Sequence, residues 1–470
     1  MTNIKMSIVF ILLLLTFAAC KVSKDVVTPV PELPPTFRNA ARDVTPGIAD
    51  LQWKKFIRES SLQKLIEKAI VKNYDMQLAL RNIESAQLLL KQSKWAYLPD
   101  ARLQVLSNFN RPSDNSLNGL SAKSFLGTTH VEDYSANITL SWEADIWGKI
   151  KNQKAGALAA YLQSEEARKW IQTNIIANVS EGFYNLLMLD AQLAIAQRNI
   201  SLNDSTLRII RLQFNAGQVT ALAVQQAGAQ QLTAQALVPQ LEKEIAIQEN
   251  ALSILGGELP AAIRRTVTLK DLDIEDSLSG GLPSALVSRR PDVQNLELAL
   301  VRANAQVGIS KANMYPTLSI SASGGLNSFK ATNWFNIPAS LFGLAAGGLV
   351  QPLIQKKQLS TAYRLAQVDR EKTVLEFRQS VLNAVGEVSN AMVRIEKLKT
   401  QQQIALERVN TLNAAISNAS LLFRTGMATY LEVIVAQSNV LQSELELAAI
   451  TRDQLSARVE LYRSLGGGWK

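Results

Sequence analysis

The side chains with the most versatile chemistry occur once each in this sequence of 470 residues: Cys20 is its single cysteine and His130 its single histidine. A disulfide within the chain needs a second cysteine, and a structural zinc site of Cys and His side chains needs about four ligands. Neither can form here, and no Cys–His pair for nucleophilic catalysis is indicated. Asp and Glu are plentiful, but none has a spacing typical of acid–base catalysis. We therefore predict no enzymatic activity, no cofactor and no metal.

The position of Cys20 indicates acylation instead. Lys5 supplies a positive charge, residues 8–15 form an apolar segment, and the sequence FAAC at residues 17–20 resembles a lipobox. This order predicts a lipoprotein signal peptide over residues 1–19, cleaved before Cys20, whose thiol then carries diacylglycerol. The alternative is an ordinary secretory signal with an incidental cysteine. Residues 20–60 are predicted to be the acylated N-terminal tether, because their first part is rich in Pro and Val and has little periodicity.

The charges and the apolar runs exclude two further classes of protein. The net charge is +9, but Lys and Arg residues alternate with carboxylates along helical patterns, which is typical of solvated helix faces rather than nucleic-acid binding. After the N-terminus, the longest nearly apolar run covers residues 339–350. It is too short for a membrane-spanning helix of roughly 20 residues, but it suits a tilted barrel strand of about 9–11.

The sequence contains an internal repeat. A shift of 209 residues aligns residues 142–252 with residues 351–461 without a gap, and it places Gly217 on Gly426. The matches are concentrated where helices and strands are expected to end. The predicted domains are a first structural repeat over residues 61–257, a linker over residues 258–282 and a second structural repeat over residues 283–468.

Each repeat is predicted to contain a helix, a strand, a loop, a second strand, a long helix, a turn and a return helix. The long helix of the first repeat has a coiled-coil-like apolar seam from Ile171 to Phe214. At 1.5 Å per residue this helix would be ~96 Å long, which predicts a coiled-coil or tubular assembly. In the first repeat the predicted bounds are strands at about 100–110 and 133–146, a long helix at about 150–213 and a return helix at about 220–255. In the second they are strands at about 317–328 and 339–352, a long helix at about 358–422 and a return helix at about 429–465.

The predicted strands alternate small or apolar side chains with uncharged polar ones, as over residues 134–142. A half-buried sheet of a soluble protein has the same pattern. The export signal, the uncharged polar face and the aromatic residues near the strand ends favour a transmembrane barrel. Four strands cannot close a barrel, and an open edge in lipid would leave amides unpaired, so closure requires further copies of the chain. The predicted membrane-interface aromatics are Trp95, Tyr97, Trp142 and Trp147.

Four motifs, in the same order along the chain, resemble those of TolC-like outer-membrane efflux proteins in their lipoprotein branch (NodT/OprM type). They are SWEADIWGK at residues 141–149, LVPQLE at 237–242, RRPDV at 289–293 and LGGGW at 465–469. The resemblance covers essentially the whole mature chain. It implies a mainly α-helical fold with a membrane β-barrel. Three chains, with four strands each, would form a twelve-stranded antiparallel barrel that continues as a long periplasmic α-helical barrel.

The resemblance also implies a function without chemistry. Such a protein is the outer-membrane channel of a tripartite efflux pump, a passive exit duct for drugs or other toxic small molecules. It is lipid-anchored in the outer membrane and extends into the periplasm. The implied partners are a periplasmic adaptor (membrane fusion protein) and an inner-membrane transporter of the resistance-nodulation-division (RND) type. Two alternatives remain: the duct of a type I protein secretion system, and a structural coiled-coil lipoprotein.

Residues at the turns between long and return helices would carry this function. The hairpin tips would contact the adaptor, although a glycine there is also an ordinary helix C-cap. The tip residues are Phe214, Asn215, Ala216, Gly217, Phe423, Arg424, Thr425 and Gly426. Relatives often carry an acidic and a basic residue in a closing ring where this chain has Ser420 and Leu422, so its closed state would be held differently. The periplasmic gate region comprises Asp204, Arg208, Arg211, Ser420 and Leu422.

Overall fold

The computed structural model describes residues 34, 48–272 and 284–470 of the chain. Cys20, the signal peptide and most of the tether lie outside these residues. In chain order the main elements are α1 (Ser60–Lys72), α2 (Tyr74–Trp95), β1 (Asp100–Asn110), β2 (Val131–Glu143), α3 (Lys149–Asn215), α4 (Ala221–Leu255), α5 (Pro291–Ala312), β3 (Thr317–Ser328), β4 (Leu341–Val350), α6 (Gln358–Arg424) and α7 (Tyr430–Ser464). Short helical segments lie at Ile48–Asp50, Trp53–Phe56, Leu117–Ser121, Ala122–Leu126, Leu269–Asp271, Ser284–Arg289 and Ala331–Asn333.

The two halves of the chain have the same order of elements. The long helices α3 and α6 have 67 residues each, and the return helices α4 and α7 have 35 each. At 1.5 Å per residue each long helix extends about 100 Å along its axis. The predicted fold class, mainly helical with four antiparallel strands and an internal repeat, is confirmed.

Two strands end earlier than the predicted bounds. β2 ends at Glu143 instead of near residue 146, because Asp145 turns back to cap α3. β4 covers Leu341–Val350 instead of about 339–352. Pro352 follows it and has no N–H with which to extend the ladder.

The described residues form two units, and the first contains all four strands. It consists of Ser85–Leu162 and Leu298–Leu375. The strands make one antiparallel sheet in the order β1-β2-β3-β4, so the hairpin of one repeat pairs with that of the other. A Cβ at Gly325 of β3 would come within 2.1 Å of the Ala136 carbonyl oxygen, so only glycine fits there. The outer edges of β1 and β4 have no strand partner within the described residues.

The second unit holds the main helical core. It is built from the described part of Val30–Glu84 together with Gln163–Glu297 and Glu376–Lys470. Its largest apolar cluster includes Phe183 of α3 and Phe377 of α6, both of which are at most 1% exposed. Such packing, rather than helix propensity, supplies most of the stability of long amphipathic helices.

Candidate functional site

The two hairpin tips have the same backbone geometry. Gly217 lies two residues beyond the end of α3 and has a φ of +71°, and the N–H of Gln218 donates to the Gln213 carbonyl oxygen at 2.8 Å. Gly426 lies two residues beyond the end of α6 with a φ of +76°, and the N–H of Met427 donates to the Leu422 carbonyl oxygen at 2.8 Å. This is a Schellman C-cap, which satisfies carbonyls that the helix leaves unpaired and requires a left-handed residue. The two repeats therefore share the hydrogen bonds of their turns as well as the order of their elements.

The side chains at the two tips differ although their backbones match. Phe423 is 6% exposed and packs in an apolar cluster at the ends of the four long and return helices, whereas the equivalent Phe214 is 44% exposed. The other buried members of this tip cluster are Leu207, Ile210, Ala223, Ala227 and Val433. The predicted apolar seam of α3 is therefore wrong at its last position, because buried packing stops at Ile210, one turn earlier. The remaining tip residues, which are Asn215, Ala216, Gly217, Arg424, Thr425 and Gly426, are exposed.

The predicted gate region contains one connected group of polar side chains. Asp204 Oδ2 lies 3.3 Å from Nη2 of Arg208, and Asp204 Oδ1 accepts a 3.1 Å hydrogen bond from Gln231 of the return helix. The Asp204 carboxylate is thus engaged within its own hairpin. Three other predicted gate residues lie outside this group: Arg211, which is exposed, Ser420, which is half-buried, and Leu422, which is 40% exposed.

A buried polar layer lies next to this group, and sequence reasoning missed it. Asn203 donates to the Asn199 side-chain oxygen at 2.8 Å, and Gln437 of α7 donates to the Thr206 hydroxyl at 2.8 Å. All four side chains are at most 9% exposed. Along α3 they lie between the main apolar core and the tip cluster. The available signal was Asn203 itself, which stands where the heptad pattern of α3 calls for an apolar residue.

The SWEADIWGK motif forms the junction between β2 and α3. Asp145 accepts hydrogen bonds from the N–H groups of Ile150 and Lys151 at 2.9 and 2.8 Å, and thereby caps the long helix. Nζ of Lys149 lies 3.0 Å from Oε1 of Glu143. The motif therefore ends a strand and begins a helix within a few residues.

The four predicted interface aromatics lie where helices and strands meet: Trp95 and Tyr97 come shortly before β1, and Trp142 and Trp147 lie between the end of β2 and the start of α3. The indole N–H of Trp142 donates to the Tyr97 carbonyl oxygen at 2.9 Å. Trp147 stacks on Tyr315 with the ring centroids 4.8 Å apart. Trp95, at the end of α2, is 69% exposed. Two of the aromatics therefore also connect chain segments, in addition to any contact with lipid.

The RRPDV motif places a buried cation in the helical unit. Arg290 is 1% exposed, and its guanidinium donates to Asp292 through two nitrogens at 3.0 and 2.6 Å. It also donates to Glu387 of α6 and to the Ser464 carbonyl oxygen at the end of α7, both at 3.0 Å. The Trp170 ring of α3 lies 5.9 Å from the guanidinium carbon. Arg290 thus connects the start of α5 and the end of α7 to the interior of α6.

None of the helices among the described residues is both long enough and apolar enough to cross a membrane. Among the same residues, no group of three or more His, Cys, Asp or Glu side chains is placed to hold a metal ion.

Comparison with known proteins gives consistent matches over nearly the full length. A model of the family described as outer membrane efflux protein matches residues 65–258 and 282–467. The chain is 24% identical to the cation efflux system protein CusC of Escherichia coli K12, over 97% of each chain. It is 27% identical to the toluene efflux pump outer membrane protein TtgF of Pseudomonas putida, over 90% of this chain and 86% of TtgF. The crystal structure of the Campylobacter jejuni CmeC outer membrane channel superposes with a TM-score of 0.87 at 18% identity, over 96% of this chain and 95% of CmeC.

Proposed function

The chain belongs to the outer membrane efflux protein family, and on this premise we propose that three copies of it form the exit duct of a tripartite pump. The protein is an efflux channel of the outer membrane and extends into the periplasm. The proposal adds the stoichiometry and the partners, which are a periplasmic adaptor and an inner-membrane transporter of the RND type. The transporter supplies the energy, and the channel itself performs no catalysis and needs no cofactor.

The main support for a trimer comes from the two open edges of the sheet. β1 and β4 each present an unpaired row of N–H and C=O groups within the described residues, and such an edge is not tolerated in lipid. Two copies would give about eight strands, and barrels of that size are filled by their own side chains or hold one small ligand. Three copies give twelve strands and a wider interior. A trimer is therefore the smallest closed assembly that leaves a passage.

The site residues take roles within this assembly. We assign adaptor docking to the two hairpin tips, at residues 214–217 and 423–426, and the closing of the periplasmic end to the group around Asp204. We assign the membrane interface to the aromatics beside the β2–α3 junction, since Trp and Tyr favour the headgroup level of a bilayer.

The cargo is proposed to be small molecules, such as drugs or other toxic compounds. CusC is named for cations and TtgF for toluene. A metal cation and an aromatic hydrocarbon share no functional group, so membership of the family does not by itself define the cargo of this chain. The relatives named above also favour efflux over protein secretion as the function of this chain.

Native mass spectrometry of the complex extracted from membranes tests the assembly. We expect three copies of the channel, and three copies with bound adaptor after mild crosslinking. The sheet edges predict that monomers and dimers are absent from the correctly inserted fraction. A predominance of monomers or dimers in that fraction would contradict the proposed stoichiometry, whereas trimers that never carry adaptor would contradict only the proposed partner.

Cys20 is proposed to be the acylated N-terminus of the mature protein. The intact mass of the purified protein should equal residues 20–470 plus a diacylglycerol and an amide-linked acyl group. A Cys20→Ala variant should lose this added mass and still insert, because the barrel would hold it in the membrane independently. A mature protein with an unmodified Cys20, or one cleaved elsewhere, would show that the lipobox interpretation is wrong.

A further inference from the structure

The two hairpin tips differ in what they offer to a partner. We propose that the first tip binds the adaptor through Phe214, which serves as its apolar anchor, while the equivalent Phe423 supports the second tip from inside. The adaptor segment that fits this surface is a helical end with an exposed apolar side chain beside carboxylates. The inference rests on the proposed role of the tips in docking and identifies the side chains that perform it.

Phe214 and Phe423 occupy equivalent positions on equivalent backbones, but they are buried to different extents. Phe423 is 6% exposed and packs against apolar side chains of the first hairpin, such as Leu207 and Ala223. Phe214 is 44% exposed, and the tip cluster does not include it. A backbone difference cannot explain this, because both turns share one hydrogen-bond pattern. Phe423 therefore stabilises the packing of the tip, whereas the Phe214 side chain remains available to a partner.

Exposed apolar side chains are concentrated around the tips. Scattered apolar residues are normal on a protein surface, but clusters mark contact sites. On the first hairpin, Leu212 is 64% and Leu222 is 57% exposed. On the second, Leu421, Met427 and Leu431 are 62%, 71% and 53% exposed. Aromatic side chains, Phe among them, are enriched at the buried centres of protein interfaces.

The tips also carry an excess of positive charge. Arg211 and Arg424 are exposed, and neither has an ion-pair or hydrogen-bond partner in the part of the chain that the structure describes. Arg208 is already paired with Asp204. The hydroxyl of Thr429 donates to the carboxylate of Glu432 and holds its pKa below its usual range, so Glu432 keeps its negative charge and offsets one of the two cations. The remaining positive charge beside an apolar surface favours a partner that carries carboxylates.

Matched substitutions in the two repeats test the proposal. The full-length channel is purified in detergent as wild type, Phe214→Ala and Phe423→Ala, and its dissociation constant is measured for the adaptor that supports efflux with this channel. Phe214→Ala should raise the dissociation constant at least tenfold and leave the melting temperature of the complex unchanged. Phe423→Ala should lower the melting temperature and expose the tip to limited proteolysis. Replacing Arg211 and Arg424 with Gln should make binding less sensitive to salt.

Three outcomes would overturn the proposal. Wild-type affinity of Phe214→Ala, together with loss of binding by Gly426→Trp, would show that the tips dock without this anchor. A lower melting temperature of Phe214→Ala would show that Phe214 packs against a neighbouring subunit instead. Wild-type affinity of all these variants, Gly426→Trp included, would contradict tip docking itself and hence that part of the proposed function.

Discussion

A channel carrying Gly426→Trp is expected to reach the outer membrane as a normal trimer and to export nothing. Gly426 has a φ of +76°, and apart from its two chain neighbours no atom lies within 4 Å of the position that a Cβ would occupy. The indole would therefore project outward from the tip, into the space that an adaptor must enter, and its main effect on the fold would be the strain of the left-handed backbone. The cellular accumulation of a pump substrate measures the loss of export, and the amount of trimer in the outer-membrane fraction measures assembly and insertion.

Backbone strain and bulk can be separated at this position. A non-glycine residue in the left-handed conformation costs about 1–2 kcal/mol, and Gly426→Ala imposes that strain without the bulk of an indole. We expect the alanine variant to export at near the wild-type level. Gly217→Trp lies on the same backbone, with a φ of +71° and equally open surroundings, and should also block export. Normal export by Gly426→Trp would show that the tips are helix caps and nothing more.

Arg290→Ala should reduce the stability of the channel by about 1.5–3 kcal/mol, because hydrogen bonds to charged groups are lost. The guanidinium makes four hydrogen bonds, and the substitution would leave Asp292 without its cation and Glu387 with Arg463, whose Nη2 lies 3.5 Å from Oε2. The melting temperature of the solubilised trimer, followed by its helical circular dichroism, and the yield of trimer in membranes should both fall.

The neighbouring residue provides the control. Arg289 is 31% exposed and makes a 3.0 Å ion pair with Asp50, so Arg289→Ala should cost at most about 1 kcal/mol. Arg290→Lys should give an intermediate result, since an ammonium keeps the charge but cannot reproduce the two-nitrogen bond to Asp292. Equal melting temperatures for Arg289→Ala and Arg290→Ala would show that the buried cluster contributes little to stability.

The architecture could be read from the sequence because its signals are local and repeated. A period of two residues marks strands and a heptad-like period marks long helices, and both occur twice. Gly217 and Gly426 marked the tips, because a helix that ends in a Schellman turn needs a left-handed residue there. The number of strands per chain also followed from these patterns, and it led to the proposal of a shared barrel.

The features that escaped prediction depend on distant partners. Two of the four hydrogen bonds of Arg290 are with residues 97 and 174 positions away, so its motif could be recognised while its role in joining helices could not. Phe214 and Phe423 are the same residue in aligned positions, and only the packing of one hairpin against the other makes one buried and one exposed. The polar layer around Asn203 depends on packing between the two repeats, because Gln437 of α7 donates to Thr206 of α3.

The central claim, that this chain is the exit duct of an efflux pump, is tested most directly by the accumulation of toxic small molecules in cells that lack its gene. The panel should contain a drug, an organic solvent and a metal cation. We expect deletion to raise the accumulation of at least one of these severalfold, the wild-type gene to restore export, and the Gly426→Trp gene to fail. Unchanged accumulation of every compound after deletion, in cells whose outer membrane normally contains the protein, would contradict the claim.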